Sequence, residues 1–418
     1  MKRLGCVVLA LVVLGALEAG AEPTGAALAG LEAYDEVMTG LLKKWDVPGA
    51  ALAVAHRDKL LLVRGYGLAN KERAVPVGPA SLFRIGSLSK TVTAVAVLQL
   101  VQGGRLGLDD KVLPILGDMG PRPDHVADAR VRDITVRHLL QHTGGFDRER
   151  SGDVVFMPRA AEAARRQGGP LPPDCPTILR DTLERKLDFA PGERFAYSNV
   201  GYCILGRIVE RVSGAGYETY AREHVLAPAG AARMRVGRTL EAAEGEVRYY
   251  DYRGAKEVRA MPGLGLTVAP QPYGAFALET MDSYGGWIAA PVDYLRFILA
   301  IDGRRGAALL DAATLAEMTA PRLPESPDGD ESSGNGVYYG LGIRIRPVKN
   351  GANLFHTGSI PGTSTLAVRT ADGFAWVVAF NSRPQDKSGF RGDVDRGLWA
   401  AKGKVKHWPR GDLFEEIR

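Results

Sequence analysis

Short hydrophobic segments with the alternation typical of β-strands lie near both ends of the chain. Segments 50–55 and 60–66 are apolar and are separated by four polar residues, which predicts a β-hairpin. Strand-like segments return late in the chain, at 338–346, 354–357, 365–370 and 374–380. The stretch Ala371-Asp372-Gly373 supplies a hairpin turn between the last two of these segments. Strands are therefore expected from both ends of the chain.

Helices are predicted around and between these strands. An early helix and a closing helix over 389–402 each have a one-sided apolar stripe, made by Leu31, Val37, Leu41 and Trp45 in the first and by Val394, Leu398 and Trp399 in the second. The middle of the chain is mostly helix and loop. We therefore predict an α/β fold of the α+β type. In it, both chain ends build one antiparallel sheet flanked by helices, and the middle forms a helix-rich lobe.

The same patterns predict domain boundaries. The sheet lobe is expected to combine residues 22–105 and 291–405, the helix-rich lobe to span 106–290, and a C-terminal tail to occupy 406–418. Pockets commonly form between lobes, so a site is expected in the cleft that separates them. Segment 147–176 is charged and rich in Pro and Gly, which predicts a long mobile loop near that cleft.

The amino terminus has the organisation of a secretory signal. Lys2 and Arg3 precede an apolar run over 4–17, and Ala19-Gly20-Ala21 forms a small-residue cleavage site. Residues 1–21 are therefore predicted to be a cleavable signal peptide, with an uncleaved membrane anchor as the alternative. The mature protein is expected to be periplasmic or secreted, without a stable membrane span.

Composition limits the classes of function. The chain has 418 residues, 45% of them hydrophobic and 24% charged, with a net charge of +5. These are values of an ordinary globular protein, and no basic run interleaves with aromatic residues, so nucleic-acid binding is not expected. Two cysteines, Cys175 and Cys203, remain after signal cleavage. In an oxidising compartment they either pair or stay as two thiols.

Several alternative sites are disfavoured. His138 and His142 are spaced as two zinc ligands on one helix face would be, but the glutamate of a His-Glu-x-x-His motif is missing, so structural roles are favoured. The sequence contains no Gly-x-Ser-x-Gly elbow and no Gly-Lys-Ser/Thr phosphate loop. We expect no metal and no cofactor.

The segment Ser87-Leu88-Ser89-Lys90 carries the strongest candidate chemistry. Residues three apart share a helix face, so the Ser87 hydroxyl and the Lys90 amine can meet. A serine becomes a good nucleophile when a neighbouring base takes its proton. Burial by the apolar run after Lys90 would keep the amine neutral and able to act as that base. Taken alone, the pattern also fits an N-cap serine followed by a solvated lysine.

Two further segments offer polar groups at the ends of apolar runs. Tyr197-Ser198-Asn199 presents a phenol that can relay a proton and an amide that can orient a lysine or a substrate carbonyl. In His356-Thr357-Gly358-Ser359, Gly358 would let a substrate lie against the strand, and the Ser359 amide could donate to an oxyanion. Taken alone, the first segment is better explained by a half-buried aromatic residue and the second by a strand end with a tolerated histidine.

Together, in this order, the three segments resemble the active-site signature of the penicillin-recognising serine hydrolases. That superfamily contains class C β-lactamases, D-Ala-D-Ala carboxypeptidases and related esterases. The stretches Leu139-Leu140-Gln141-His142-Thr143-Gly144-Gly145-Phe146 and Phe189-Ala190-Pro191-Gly192 are also similar to segments of this family. The resemblance covers roughly residues 41–399, and it implies a β-lactamase/transpeptidase-like fold.

The resemblance implies a role for each matching position. Ser87 would be acylated, and Lys90 and Tyr197 would share its proton and deliver it to the leaving group. Asn199 would hold Lys90 and the acyl amide of the substrate. The remaining segment would supply His356 and Thr357 facing the substrate, with the backbone N–H groups of Ser87 and Ser359 forming an oxyanion hole.

The resemblance implies an exported serine hydrolase acting on a small molecule or a peptidoglycan peptide. His356 stands where β-lactamases usually carry lysine, and a mostly neutral imidazole is a weaker fixed charge for a substrate carboxylate. This favours a D-Ala-D-Ala carboxypeptidase over an efficient β-lactamase. An esterase with the same residues is the alternative enzyme, and a penicillin-binding sensor without turnover is the alternative from another class.

Overall fold

The computed structural model describes residues 22–156, 158–321, 323 and 336–416. The signal-peptide prediction for 1–21 lies outside these residues. Strands from both chain ends build one antiparallel sheet of nine strands, and short strand pairs lie apart from it. The strands are β1 Thr24–Ala27, β2 Gly49–His56, β3 Lys59–Asn70, β4 Val75–Pro76, β5 Phe83–Arg84, β6 Arg235–Val236, β7 Val258–Arg259, β8 Val268–Ala269, β9 Trp287–Ala289, β10 Tyr338–Tyr339, β11 Arg344–Val348, β12 Gly351–Ile360, β13 Thr363–Arg369 and β14 Phe374–Phe380.

The two chain ends meet in the middle of the main sheet. Its order is β1-β3-β2-β14-β13-β12-β11-β10, with β4 paired to β3. The predicted early hairpin is formed by β2 and β3, and β14 pairs with β2 from Phe374 opposite His56 to Phe380 opposite Ala50. The α+β fold class predicted from the sequence is confirmed.

Helices cover both faces of this sheet. They are α1 Glu32–Trp45, α2 Ser89–Gln102, α3 Val112–Leu116, α4 Val136–Leu140, α5 Arg148–Ser151, α6 Pro158–Gln167, α7 Cys175–Leu183, α8 Asn199–Ser213, α9 Tyr217–Tyr220, α10 Gln271–Gly274, α11 Pro291–Ala300, α12 Ala312–Thr319 and α13 Lys387–Lys404. Helices α1 and α13 pack on one face, which we call the outer face, through residues such as Met38 and Leu398. Helices α2 and α11 pack on the opposite face. From Ser89 to Leu98 every residue of α2 is buried, as expected of a central helix.

Segment 147–176 is not the irregular loop that its composition predicted. It contains α5, a 3-10 turn over Val154–Phe156 and α6, and it reaches the start of α7. In α6, the small residues Ala160, Ala163 and Ala164 are buried and Arg165 and Arg166 are exposed, so an amphipathic helix can form despite the high charge. Asp153 lies between α5 and the 3-10 turn.

Cys175 and Cys203 form a disulfide that connects α7 to α8. The pairing decides between the two states that the sequence left open.

The residues assigned to a C-terminal tail include a 3-10 turn over Leu413–Glu415, where Leu413 and Phe414 are buried. None of the helices in the described ranges combines the length and hydropathy needed to cross a membrane. The boundaries of the two lobes stay predictions.

Candidate active site

Ser87 lies in a tight turn immediately before helix α2. A 3-10 turn over Gly86–Leu88 leads directly into the helix, and Gly86 has a φ of 53°. This is the left-handed region that favours glycine. A Cβ at residue 86 would stand only 3.0 Å from the backbone nitrogen of Ser359. Glycine at this position therefore lets the turn that carries Ser87 close onto strand β12.

Gly358 allows the same approach from the strand side. A Cβ there would stand 2.1 Å from the carbonyl oxygen of Ile85 and 2.2 Å from the hydroxyl of Thr365. The sequence had suggested that this glycine makes room for a substrate. In the structure the segment before Ser87 occupies this space. Gly358 therefore allows the segment that carries the nucleophile, not the substrate, to lie against the strand.

Lys90 lies one helical turn after Ser87 and is completely buried. Its Nζ is 3.1 Å from the Ser87 Oγ, 2.7 Å from the Asn199 Oδ1 and 2.7 Å from the Tyr284 carbonyl oxygen. Burial lowers the pKa of Lys90 well below its ordinary value. The charge of Asp153 opposes this shift, whereas Arg148 and Arg344 add to it.

These three contacts fit a neutral amine. Neutral lysine has two N–H donors and one lone pair. The Asn199 and Tyr284 carbonyl oxygens can only accept, so they take both hydrogens. The lone pair then faces the Ser87 hydroxyl. Lys90 is thus placed to take the proton from Ser87.

Asn199 is held in one orientation by Asp153, a residue that the sequence did not single out. The Asn199 Nδ2 donates to the Asp153 Oδ2 at 2.5 Å, which turns its carbonyl oxygen towards Lys90. Burial raises the pKa of Asp153, against the hydrogen bond from Asn199 and the charges of Arg148 and Lys90. One of the two N–H donors of the Asn199 amide, which was expected to meet a substrate carbonyl, is therefore taken by a carboxylate.

Asp153→Asn is expected to lower kcat/KM for p-nitrophenyl acetate about tenfold, the usual loss for a group that orients a reacting residue. Without the negative charge that raises the pKa of Lys90, the acid limb of the pH–rate profile should move to lower pH. Stopped-flow or steady-state pH profiles measure both effects. Glu149→Gln is the matched control, since the Glu149 carboxylate lines the same recess and pairs with Arg148. Equal profiles for Asp153→Asn and the control would contradict this role.

Tyr197 lies next to Lys90, but burial shifts its pKa upwards, whereas burial shifts the pKa of Lys90 downwards. Burial raises the pKa of Tyr197 to about 12, and its interaction with Ser87 opposes the shift. Its phenol oxygen is buried and makes no hydrogen bond to the described residues. The ring centroid lies 5.0 Å from the Lys90 Nζ and 4.8 Å from the Arg148 guanidinium carbon. At neutral pH this phenol keeps its proton, so it is suited to donate one.

His356 does not face the cleft, which differs from the expectation. Its side chain is 1% exposed, its Nε2 lies 2.9 Å from the Tyr339 hydroxyl, and its Nδ1 lies 2.7 Å from the Thr357 carbonyl oxygen. Burial lowers the pKa of His356 well below its ordinary value, so the ring is neutral. Neighbouring side chains on a strand point to opposite faces. Thr357 therefore reaches the cleft, where its hydroxyl lies 3.4 Å from Arg344.

The cleft around Ser87 consists of two adjoining recesses that share Ser87, Arg148, Ser359 and Arg391 in their walls. The larger, of about 510 Å³, also has Asn199 and Asp153 in its wall. The smaller is lined in addition by Tyr197, Arg344 and Thr357. Arginines, not His356, thus provide the positive charge next to the nucleophile, and no sequence motif pointed to them.

His138 and His142 support the backbone around the site. The His138 Nδ1 accepts the Thr135 N–H at the start of α4, and the His142 Nδ1 accepts the Ser198 N–H. The His142 ring packs against the Tyr197 ring with 4.3 Å between centroids. His138 thus caps α4, whereas the His142 contacts fix the segment that carries Tyr197 and Asn199.

Comparison with known proteins gives matches over most of the chain. A model of the Beta-lactamase family matches residues 34–398. The chain is 27% identical over 250 residues to a Staphylococcus aureus (strain MW2) protein called Protein flp, covering 60% of this chain and 47% of that protein. It therefore spans less than half the length of this curated relative.

Two solved structures are similar over nearly the whole described chain. The octameric penicillin-binding protein homologue from Pyrococcus abyssi has a TM-score of 0.66 and 25% identity, covering 90% of this chain and 78% of that one. The D-amino acid amidase from Ochrobactrum anthropi SV3, complexed with D-phenylalanine, has a TM-score of 0.66 and 25% identity, covering 88% of this chain and 99% of that one.

Proposed function

The chain belongs to the Beta-lactamase family of serine hydrolases, and on that premise we propose that it is an exported enzyme that cleaves an amide or ester through an acyl-enzyme on Ser87. The observation that carries this proposal is the 3.1 Å contact between the Ser87 Oγ and a completely buried Lys90 amine. Export rests on residues 1–21 alone. A secreted or periplasmic product that begins at Glu22 would support it, and a cytoplasmic full-length chain would contradict it.

In the proposed reaction the Ser87 oxygen attacks the substrate carbonyl while its proton passes to the Lys90 Nζ. The oxyanion that forms faces the N–H groups of Ser87 and Ser359. When the carbonyl bond to the leaving group breaks, Tyr197 donates its proton to that group and regains one from Lys90. A water molecule then attacks the ester on Ser87, with the proton transfers running in reverse.

The most fitting substrate has a carboxylate on its leaving group, as a D-Ala-D-Ala peptide has. Arg148, Arg344 and Arg391 line the recess next to Ser87 and Tyr197, and guanidinium groups are suited to carboxylates. The solved relative named D-amino acid amidase agrees with an amide next to a D-amino acid. We therefore place a D-Ala-D-Ala carboxypeptidase-like activity first.

An ester hydrolase is the second candidate, because of Asn199. One of the two N–H donors of its amide group is taken by Asp153, so only one is left for the acylamino group of a penicillin or a stem peptide. A simple ester needs no such donor. The ester activity and the peptidase activity would use the same Ser87 and Lys90.

A substrate panel separates these candidates. We expect purified protein to release D-Ala from an acetylated D-Ala-D-Ala peptide faster than it opens a chromogenic cephalosporin. Turnover of p-nitrophenyl acetate alone would contradict the peptidase and support the esterase. Intact-mass spectrometry with benzylpenicillin adds the test of covalency. Stable labelling without turnover of any substrate would indicate a sensor module.

A further inference from the structure

A second pocket, of about 340 Å³, lies between the outer face of the sheet and helix α13. Most of its wall is apolar and comes from β12, β13, β14 and α13: Phe355, Leu366, Val368, Phe380, Phe390 and Val394. Interiors are normally packed with few voids larger than a water molecule. Its volume lies in the range of small-ligand pockets, about 300 to 1,000 Å³, so it is large enough to hold an apolar side chain of a ligand.

This pocket adjoins the catalytic cleft on the side of the proton donor. Thr357 and Arg391 line both the pocket and the recess that contains Ser87 and Tyr197. In the proposed reaction Tyr197 protonates the leaving group, so the leaving group lies in that recess. A side chain on the leaving group that points past Thr357 would enter the apolar pocket.

Three arginines line the rim of the pocket: Arg346, Arg391 and Arg396. Arg346 lies 4.0 Å from the Asp395 carboxylate and places its guanidinium carbon 4.9 Å from the Phe355 ring centroid. Arg396 lies 2.8 Å from the Asp393 carboxylate. A guanidinium group has five N–H donors, so one that is already paired can still bind a ligand carboxylate beside an apolar interior.

We propose that this pocket binds the side chain of the leaving group, and that the enzyme prefers substrates whose leaving group is a bulky apolar amino acid with a free carboxylate. The inference rests on the proposed function. It differs from release of D-alanine, whose methyl group would leave the pocket almost empty.

The test keeps the acyl group constant and varies the leaving group. For wild type, kcat/KM for N-acetyl-D-Ala-D-Phe is expected to exceed that for N-acetyl-D-Ala-D-Ala by about tenfold or more. N-acetyl-D-Ala-D-Phe amide, which lacks the carboxylate, should be the poorer of the two phenylalanine substrates. Val368→Phe, which fills the pocket from β13, should reduce the D-Phe to D-Ala ratio to near one. The ratio is measured within each variant, so a general loss of activity cancels.

Two further variants make the result decisive. Val394→Phe fills the pocket from α13 and replaces Val368→Phe if that protein does not fold. Val348→Phe, at an exposed position in β11, is the matched control and should keep the wild-type ratio. Equal rates for both leaving groups in wild type, or a D-Phe preference that both filling variants retain, would overturn the inference while leaving the proposed function intact.

Direct binding distinguishes failure of the pocket from failure of the proposed function. Calorimetry should show that 3-phenylpropanoate binds to the wild-type protein and that 3-phenylpropanamide binds more weakly. The Val368→Phe variant should bind neither. If no peptide is turned over but this binding is found, the carboxypeptidase assignment is wrong and the pocket still binds an apolar carboxylate. If 3-phenylpropanoate does not bind, the pocket assignment is wrong whatever the peptides show.

Discussion

Ser87→Ala is expected to lower kcat/KM for p-nitrophenyl acetate by about 10⁴-fold or more and to abolish covalent labelling. Removing a nucleophile eliminates the acyl-enzyme route, and the remaining groups alone recover only a small part of the acceleration. The fold should be retained, because Ser87 is only partly buried and the substitution removes a single small hydroxyl, which contacts Lys90. Intact-mass spectrometry after incubation with an acylating probe measures the labelling directly.

Ser213→Ala serves as the matched control for this substitution. Ser213 is also partly buried, and it ends helix α8, where its hydroxyl bonds to the backbone of Ala215. This variant should be labelled and should turn the ester over as wild type does. A Ser87→Ala protein that still formed an adduct would mean that another residue is the nucleophile, and the mechanism proposed above would be abandoned.

The sequence could predict the Ser87–Lys90 pair because their relation is local. Residues three apart on a helical turn meet whatever the rest of the fold does, and the apolar run after Lys90 already implied its burial. The sheet was predictable for a similar reason, since a continuous apolar run such as 374–380, bounded by turn residues, is a local signal of a buried strand. The length of β14 agrees with that pattern residue for residue.

Residues that act on the pair from distant parts of the chain could not be predicted in this way. Asp153 reaches Asn199 across 46 positions, and Arg344 and Arg391 join Ser87 only because β11 and α13 pack beside it. None of these residues belongs to a local motif. Only the tertiary arrangement brings their charges together.

The expectation for His356 could have been corrected from the sequence. The strand segment containing it was predicted, and side chains at successive strand positions face opposite sides. His356 and Thr357 therefore could not both face the substrate. The structure assigns the cleft to Thr357 and buries His356 against Tyr339.

Lys90→Met is expected to lower kcat/KM for p-nitrophenyl acetate by about 10³- to 10⁴-fold, the contribution typical of a well-placed general base. Methionine has a similar length and fills the same buried space, but it has no lone pair basic enough to take the Ser87 proton. Steady-state kinetics with protein whose folding has been checked by circular dichroism measures the loss. An active variant would show that a different group deprotonates Ser87.

The same variant tests whether Lys90 is neutral in the folded protein, which the mechanism requires. Its pKa is lowered on folding, whereas in the unfolded chain it is about 10.4. Between these two values the unfolded state binds more protons, so the stability of wild type relative to Lys90→Met must rise with pH, by up to about 1.4 kcal/mol per pH unit. Below the folded pKa and above about pH 10.4 the difference should be constant.

Denaturant unfolding of both proteins at several pH values gives this difference in stability, in which all other titrating groups cancel to first order. A flat difference from pH 6 to pH 9, with the transition only near pH 10, would mean that the amine stays protonated beside Ser87 and cannot be the base.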